Sequence, residues 1–147
     1  MLEYSVNAER ISENGSLAMV RDATILLDTS LAGRPDAFIP AELLLGALAG
    51  CIIKSAERAI PLLGFYLRGI EVKLHAVRQD APPRITAIDY LLTIDTDEND
   101  HRIELLHKNI RKYGTVSNTL ALAVALDGRI TRKNLSPQAS QSAVIPS

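Results

Sequence analysis

Residues 40–60 read PAELLLGALAGCIIKSAERAI. Within them, Leu43 to Ile53 is the longest apolar run of the chain and carries no charge. A helix buried along one face shows polar positions at helical spacing, so this run predicts a helix enclosed by protein on nearly all sides. Pro40 suits the first turn, where a missing backbone N–H costs little. Glu42 follows in the same turn, where its charge meets the positive end of the helix dipole. Glu57 and Arg58 mark an exposed far end, and Pro61 is expected to stop the helix. The only cysteine, Cys51, lies in the middle of this stretch.

On the N-terminal side, residues 2–11 (LEYSVNAERI) alternate with strand spacing, and Asn14-Gly15 is a strong turn signal. Two further strands are expected, over Leu17–Arg21 and Thr24–Asp28, giving an antiparallel meander. Residues 29–39 hold Gly33 and Pro35 and read as a loop leading into the helix.

On the C-terminal side, Ile70, Val72, Leu74 and Ala76 alternate with Glu71, Lys73, His75 and Val77. Asp80-Ala81-Pro82-Pro83 connects this strand to a return strand, Arg84 to Thr96, whose apolar side is Ile88, Tyr90, Leu92 and Ile94. Residues 97–100 (DEND) open a second helix with an apolar stripe at Ile103, Leu106, Ile110 and Tyr113. Gly114 reads as its left-handed cap. A short helix, Thr115–Leu120, entered at Ser117, follows, then Ala121–Lys133 reads as strand with Asp127-Gly128 as a turn. Residues 1–133 form one expected domain, and 134–147 an expected mobile tail. The order implies an α+β fold with antiparallel sheet, not the βαβ alternation of a nucleotide-binding sheet.

Composition narrows the function. The chain has 147 residues, 47% of them hydrophobic, and a formal net charge of -1, so no basic surplus favours nucleic acid or an anionic membrane surface. One cysteine forms no internal disulfide. No signal-peptide pattern opens the chain, and the run at 43–53 is too short to cross a bilayer, which takes roughly 20 residues. A soluble cytoplasmic protein is expected. His75, His101 and His107 lack ligand spacing with an acidic partner, so they read as surface residues, and neither metal nor cofactor is expected.

Three features of the central stretch bear on chemistry. Cys51 is either a small buried hydrophobe or a nucleophilic thiolate, which needs access and a nearby positive group such as Lys54. Glu42 is either a helix-start carboxylate or a partner for Cys51. Nine residues put them roughly 13.5 Å apart along one helix and about half a turn out of phase. They could meet only across two copies of the helix. Gly46, Ala47 and Gly50 suggest close packing, on the sheet or on a second helix, because each glycine in a helix costs about 1 kcal/mol relative to alanine.

Two segments together resemble the OsmC/Ohr family. PAELLLGALAGC (40–51) is similar to its central-helix motif, where a proline and a glutamate open a buried helix ending in a reactive cysteine. VSNTL (116–120) is similar to the segment that follows a second cysteine. With the matching element order, the resemblance covers roughly residues 4–130. It implies an intertwined homodimer whose sheets wrap two central helices, with active sites at the interface. It further implies thiol chemistry on a hydroperoxide: Cys51 as the attacking cysteine and Glu42 as its carboxylate. For the supporting arginine the candidates are Arg34 and Arg10. Where the family has Cys-Pro this chain has Gly114-Thr115, so the second, resolving cysteine is missing. The expected function is therefore peroxide detoxification by one cysteine with an external thiol reductant. The alternative is a non-catalytic dimer of the same fold that binds a small hydrophobic ligand at its interface.

Overall fold

The computed structural model describes residues 1–134, and the tail expected from there to residue 147 lies outside the described residues except for Asn134. The chain forms two units, Met1–Gly46 and Ala47 onward.

In the first unit, β1 (Asn7–Ser12), β2 (Gly15–Val20) and β3 (Ala23–Leu27) form the expected antiparallel meander, with a register shift between Arg10 and Ser12 beside the Asn14-Gly15 turn. Residues 2–6, expected to be strand, are not. β1 finds ladder partners only from Asn7 on, and alternation without a partner does not hold a strand. Beyond β3, Asp28 is buried and organises the loop. Its carboxylate accepts from the Ser30 hydroxyl at 2.6 Å, the Arg34 N–H at 2.9 Å and the Ser30 N–H at 3.1 Å. Those donors, the Ser30 hydroxyl first and the Arg34 N–H next, hold it below the usual carboxylate range.

Helix α1 runs Pro40–Leu63. It continues through Pro61, contrary to expectation. The carbonyl that Pro61 leaves without a donor belongs to Glu57, and both residues are exposed, so water can serve it. The stop comes at Gly64, at φ 56°, with the Phe65 N–H donating to the Ile60 carbonyl at 3.0 Å, the six-to-one bond of a Schellman cap. Burial along α1 also departs from the expectation of enclosure on nearly all sides. Leu48, Ile52, Ser55, Ala56 and Ala59 are buried along one stripe, whereas Gly46, Ala47, Gly50, Lys54 and Glu57 on the opposite side are exposed.

In the second unit, β4 (Gly69–Asp80) pairs antiparallel with β5 (Pro83–Asp95), and Ile88, Tyr90, Leu92 and Ile94 are buried as the alternation requires. Strand β6 (Ala125–Arg132) joins β5 in parallel, whereas β1–β2, β2–β3 and β4–β5 are antiparallel. A parallel neighbour requires a long crossover. Here it is supplied by α2 (Asp100–Tyr113) and α3 (Thr115–Leu120). Asn99 caps α2 by accepting from the Arg102 N–H at 3.0 Å, and Ile103, Leu106 and Ile110 form its buried stripe. Tyr113, expected on that stripe, is half exposed. Asp127-Gly128 is not a turn, because β6 runs straight through it and pairs Gly128 with Tyr90.

Candidate site around Cys51

Cys51 stands between exposed Gly50 and buried Ile52, so its thiol emerges at the border of the two faces of α1 and is half-buried. Facing it is the α2–α3 junction. Gly114 was expected to be left-handed, but it lies at φ -76° and ψ 115°, an extended residue that forms the N-cap of α3. Its role is steric. A β-carbon on residue 114 would stand 3.1 Å from Cys51 Sγ and 2.9 Å from Ser117 Oγ. A glycine there leaves room for thiol and hydroxyl together.

Ser117 lies inside α3, not at its entry, and is 8% exposed. Its hydroxyl is 4.0 Å from Cys51 Sγ, at the outer limit for a sulfur hydrogen bond, and has no other partner among the described residues. Arg58 reaches from α1 to the last turn of α2, where its Nη1 donates to the Tyr113 carbonyl at 3.5 Å. That contact fastens α1 beside Gly114 and places a cation at the negative end of a helix.

On the other side of Ser117 is a partly open cavity of about 110 Å³, lined also by Tyr90, Arg111, Asn118 and Gly128. Tyr90 also pairs with His107, Oη to Nε2 at 2.7 Å with the rings edge to face. Burial, then the Arg111 cation, lowers the pKa of His107, whereas burial raises that of Tyr90. Near neutral pH the Tyr90 hydroxyl therefore shares one hydrogen bond with a neutral imidazole. His107 is thus part of a half-buried pair, not the surface residue expected. Gly128 makes the pair possible, since a β-carbon there would overlap the Tyr90 ring. A glycine within a strand can signal such close approach. The Asp-Gly turn signal concealed it.

The other sequence candidates lie in the first unit. Glu42 Oε1 accepts from the Ile39 N–H at 3.1 Å, the reach-back half of a capping box at the start of α1. It also borders an open depression formed by Pro35, Asp36, Ala37 and Phe38. Arg34 holds Asp36 through Nε at 2.6 Å and Nη2 at 2.9 Å, and its Nη1 donates to the Asn14 carbonyl at 3.1 Å. Arg10 is exposed on β1. The structure thus brings Gly114 and Ser117 to Cys51. It does not bring Glu42 there along α1, where the two remain roughly 13.5 Å apart in helical rise. Among the described residues no His, Cys, Asp and Glu group could hold a metal ion, and no helix is long and apolar enough to cross a membrane.

Comparison with known proteins agrees with this architecture. The fold is similar to that of an OsmC-like protein from Mycoplasma pneumoniae, at 18% identity over 90% of this chain and 99% of that one, with a TM-score of 0.82. It is also similar to an organic hydroperoxide resistance protein OsmC from Legionella pneumophila, at 15% identity, 89% and 99% coverage and a TM-score of 0.66. The organic hydroperoxide resistance protein OhrB of Bacillus subtilis matches at 10% identity, 87% and 98% coverage and a TM-score of 0.65. No curated protein sequence matches significantly. The family model for OsmC-like proteins matches residues 33–127, which include α1 with Cys51, Gly114 and Ser117, and on that match the chain belongs to the OsmC-like protein family.

Proposed function

We propose that this protein is a thiol-dependent hydroperoxide reductase that works as a homodimer with Cys51 as its single redox centre. The observation that carries this reading is the half-buried Cys51 facing Gly114, where a β-carbon would lie 3.1 Å from the sulfur and the chain supplies no second thiol. The likeness to proteins described as organic hydroperoxide resistance proteins supports the substrate class.

In this reaction the Cys51 thiolate attacks one peroxide oxygen. The O–O bond breaks, the alcohol leaves with a proton, and the sulfur is oxidised to a sulfenic acid. No second cysteine exists in the chain to condense with it. An external thiol therefore displaces water to form a mixed disulfide, and a second thiol restores Cys51. A cytoplasm rich in reduced thiols suits this cycle. Glu42 of a second copy orients the thiolate, and Arg34, braced by Asp36, serves as a fixed cation. The exposed small-residue side of α1 and exposed Leu31, Phe38, Ile39 and Leu44 are surfaces that a second copy would cover.

The test is consumption of cumene hydroperoxide with dithiothreitol or dihydrolipoamide as reductant. Wild type should turn over and Cys51→Ser should not. Equal, slow consumption by both would remove the enzyme reading.

Gly114 in place of a thiol, beside an exposed apolar helix side, favours a second reading, in which the dimer binds a small hydrophobic molecule and has no peroxidase activity. Native mass spectrometry separates the two. A ligand-free protein that binds nothing from a fatty-acid and hydroperoxide panel would count against the binding reading.

A further inference from the structure

We infer that the cavity behind Ser117 is the binding site of the resolving thiol, and that this thiol carries a small anionic group, a carboxylate, which Arg111 receives. The inference rests on the one-cysteine peroxidase reading, which requires a thiol from outside the chain.

Four observations converge on this cavity. Its volume of about 110 Å³ is several times what one water needs, roughly 10–15 Å³, and suits a molecule of a few heavy atoms. Arg111 lines it, and its guanidinium has no ion-pair or hydrogen-bond partner among the described residues. Tyr90 Oη is already paired with His107 Nε2, and Asn118 Nδ2 donates to the Lys112 carbonyl at 3.2 Å. Arg111 is therefore the principal donor left for a ligand, and its fork fits a carboxylate. Finally, Ser117 lines the cavity and its hydroxyl is 4.0 Å from Cys51 Sγ, so the cavity adjoins the sulfur through Ser117.

The local field agrees. Of the two charges that act on Tyr90 and His107, Arg111 has the larger influence and Asp127 the smaller. Asp127 is partly occupied, accepting from the Gly128 N–H at 2.9 Å. Around the Tyr90–His107 pair the cation therefore outweighs the carboxylate.

In the resolving step, the sulfur of the bound thiol attacks Cys51 Sγ. An S–S bond forms, the S–O bond of the sulfenic acid breaks, and the hydroxide leaves as water with the proton of the thiol. The thiol sulfur is oxidised as Cys51 is reduced.

The test bypasses peroxide. Cys51 in the full chain is converted to its methyl disulfide with methyl methanethiosulfonate, and reduction is timed with 3-mercaptopropionate and with 3-mercaptopropionamide. Each rate is normalised to that with free cysteine methyl disulfide. A normalised preference of about tenfold for the carboxylate thiol is expected, equivalent to about 1.4 kcal/mol. It should shrink as salt is added, vanish in Arg111→Gln and largely return in Arg111→Lys. No preference, or one that survives Arg111→Gln, overturns the inference. Dimedone trapping after cumene hydroperoxide reports the peroxidase reading separately. Trapping without thiol preference sinks the site alone, and preference without trapping sinks the peroxidase reading alone.

Discussion

A β-carbon on Gly114 would lie 3.1 Å from Cys51 Sγ. In a disulfide, the β-carbon of one cysteine and the sulfur of the other are about 3 Å apart. Residue 114 is therefore already at bridging distance from the thiol, and the chain lacks only the sulfur.

Gly114→Cys should accordingly form an internal disulfide with Cys51 under mild oxidation. Ser117 Oγ, which would stand 2.9 Å from the new β-carbon, must rotate aside. The bridge would close a loop of roughly 60 residues, for which the chain-entropy treatment gives about 4 kcal/mol of stabilisation before any strain. Titration of free thiols after one equivalent of hydroperoxide should fall to zero in the variant. Its Tm should be higher oxidised than reduced. Two thiols persisting after oxidation would show that the junction does not hold residue 114 against Cys51.

Glu42→Gln separates structure from chemistry at the start of α1. Glutamine can still accept from the Ile39 N–H, so the capping bond at 3.1 Å and the unfolding midpoint should be retained. Removal of the charge should lower peroxide turnover at least about tenfold if this carboxylate orients the thiolate in the dimer. Unchanged turnover would confine Glu42 to its capping role.

His107 carries a pH dependence of known sign. Burial, and then Arg111, lowers its pKa, so the folded state holds that proton less readily than the unfolded chain. Its stabilising contribution is complete above the unfolded value of about 6.5 and is lost as pH falls from there toward the lower folded value. Asp28, Asp36, Asp97 and Glu98 are all held below the usual carboxylate range and titrate under this window. Between about pH 7.5 and 5.5 the urea midpoint of wild type should drop by roughly a few tenths molar. His107→Gln, which can accept from Tyr90 without titrating, should drop less. Equal drops would remove His107 as the source.

The sequence made most of the fold legible because its strongest signals are local. Alternation over Ile88 to Ile94, the Asn99 cap and the apolar run around Leu48 each reveal an element without knowledge of its neighbours. Three of the errors share one cause, which is dependence on partners distant in the chain. Gly128 looked like half of a turn until the parallel pairing with β5 set it opposite Tyr90. His107 looked exposed because the Tyr90 hydroxyl that engages it comes from another element. Gly114 looked like a helix stop because nothing in its own segment shows that Cys51 lies against it. Of the candidate site, the motif singles out Cys51 as an expectation. The Ser117 contact and the cavity behind it were not.

The exposed side of α1 gives the sharpest test of self-association. A β-carbon on Gly50 would meet no atom within 4 Å among the described residues. In an isolated chain, Gly50→Ala should therefore add about 1 kcal/mol through helix propensity alone. If a second copy packs its helix there, the added methyl meets a backbone, and larger side chains meet it harder. Gly50→Leu should then keep the helical circular dichroism signal of wild type while weakening the dimer at least about tenfold. Light scattering across a concentration series measures this directly. A chain that is monomeric at every concentration, and simply stabilised by Gly50→Ala, would eliminate the dimer and with it any route by which Glu42 could reach Cys51.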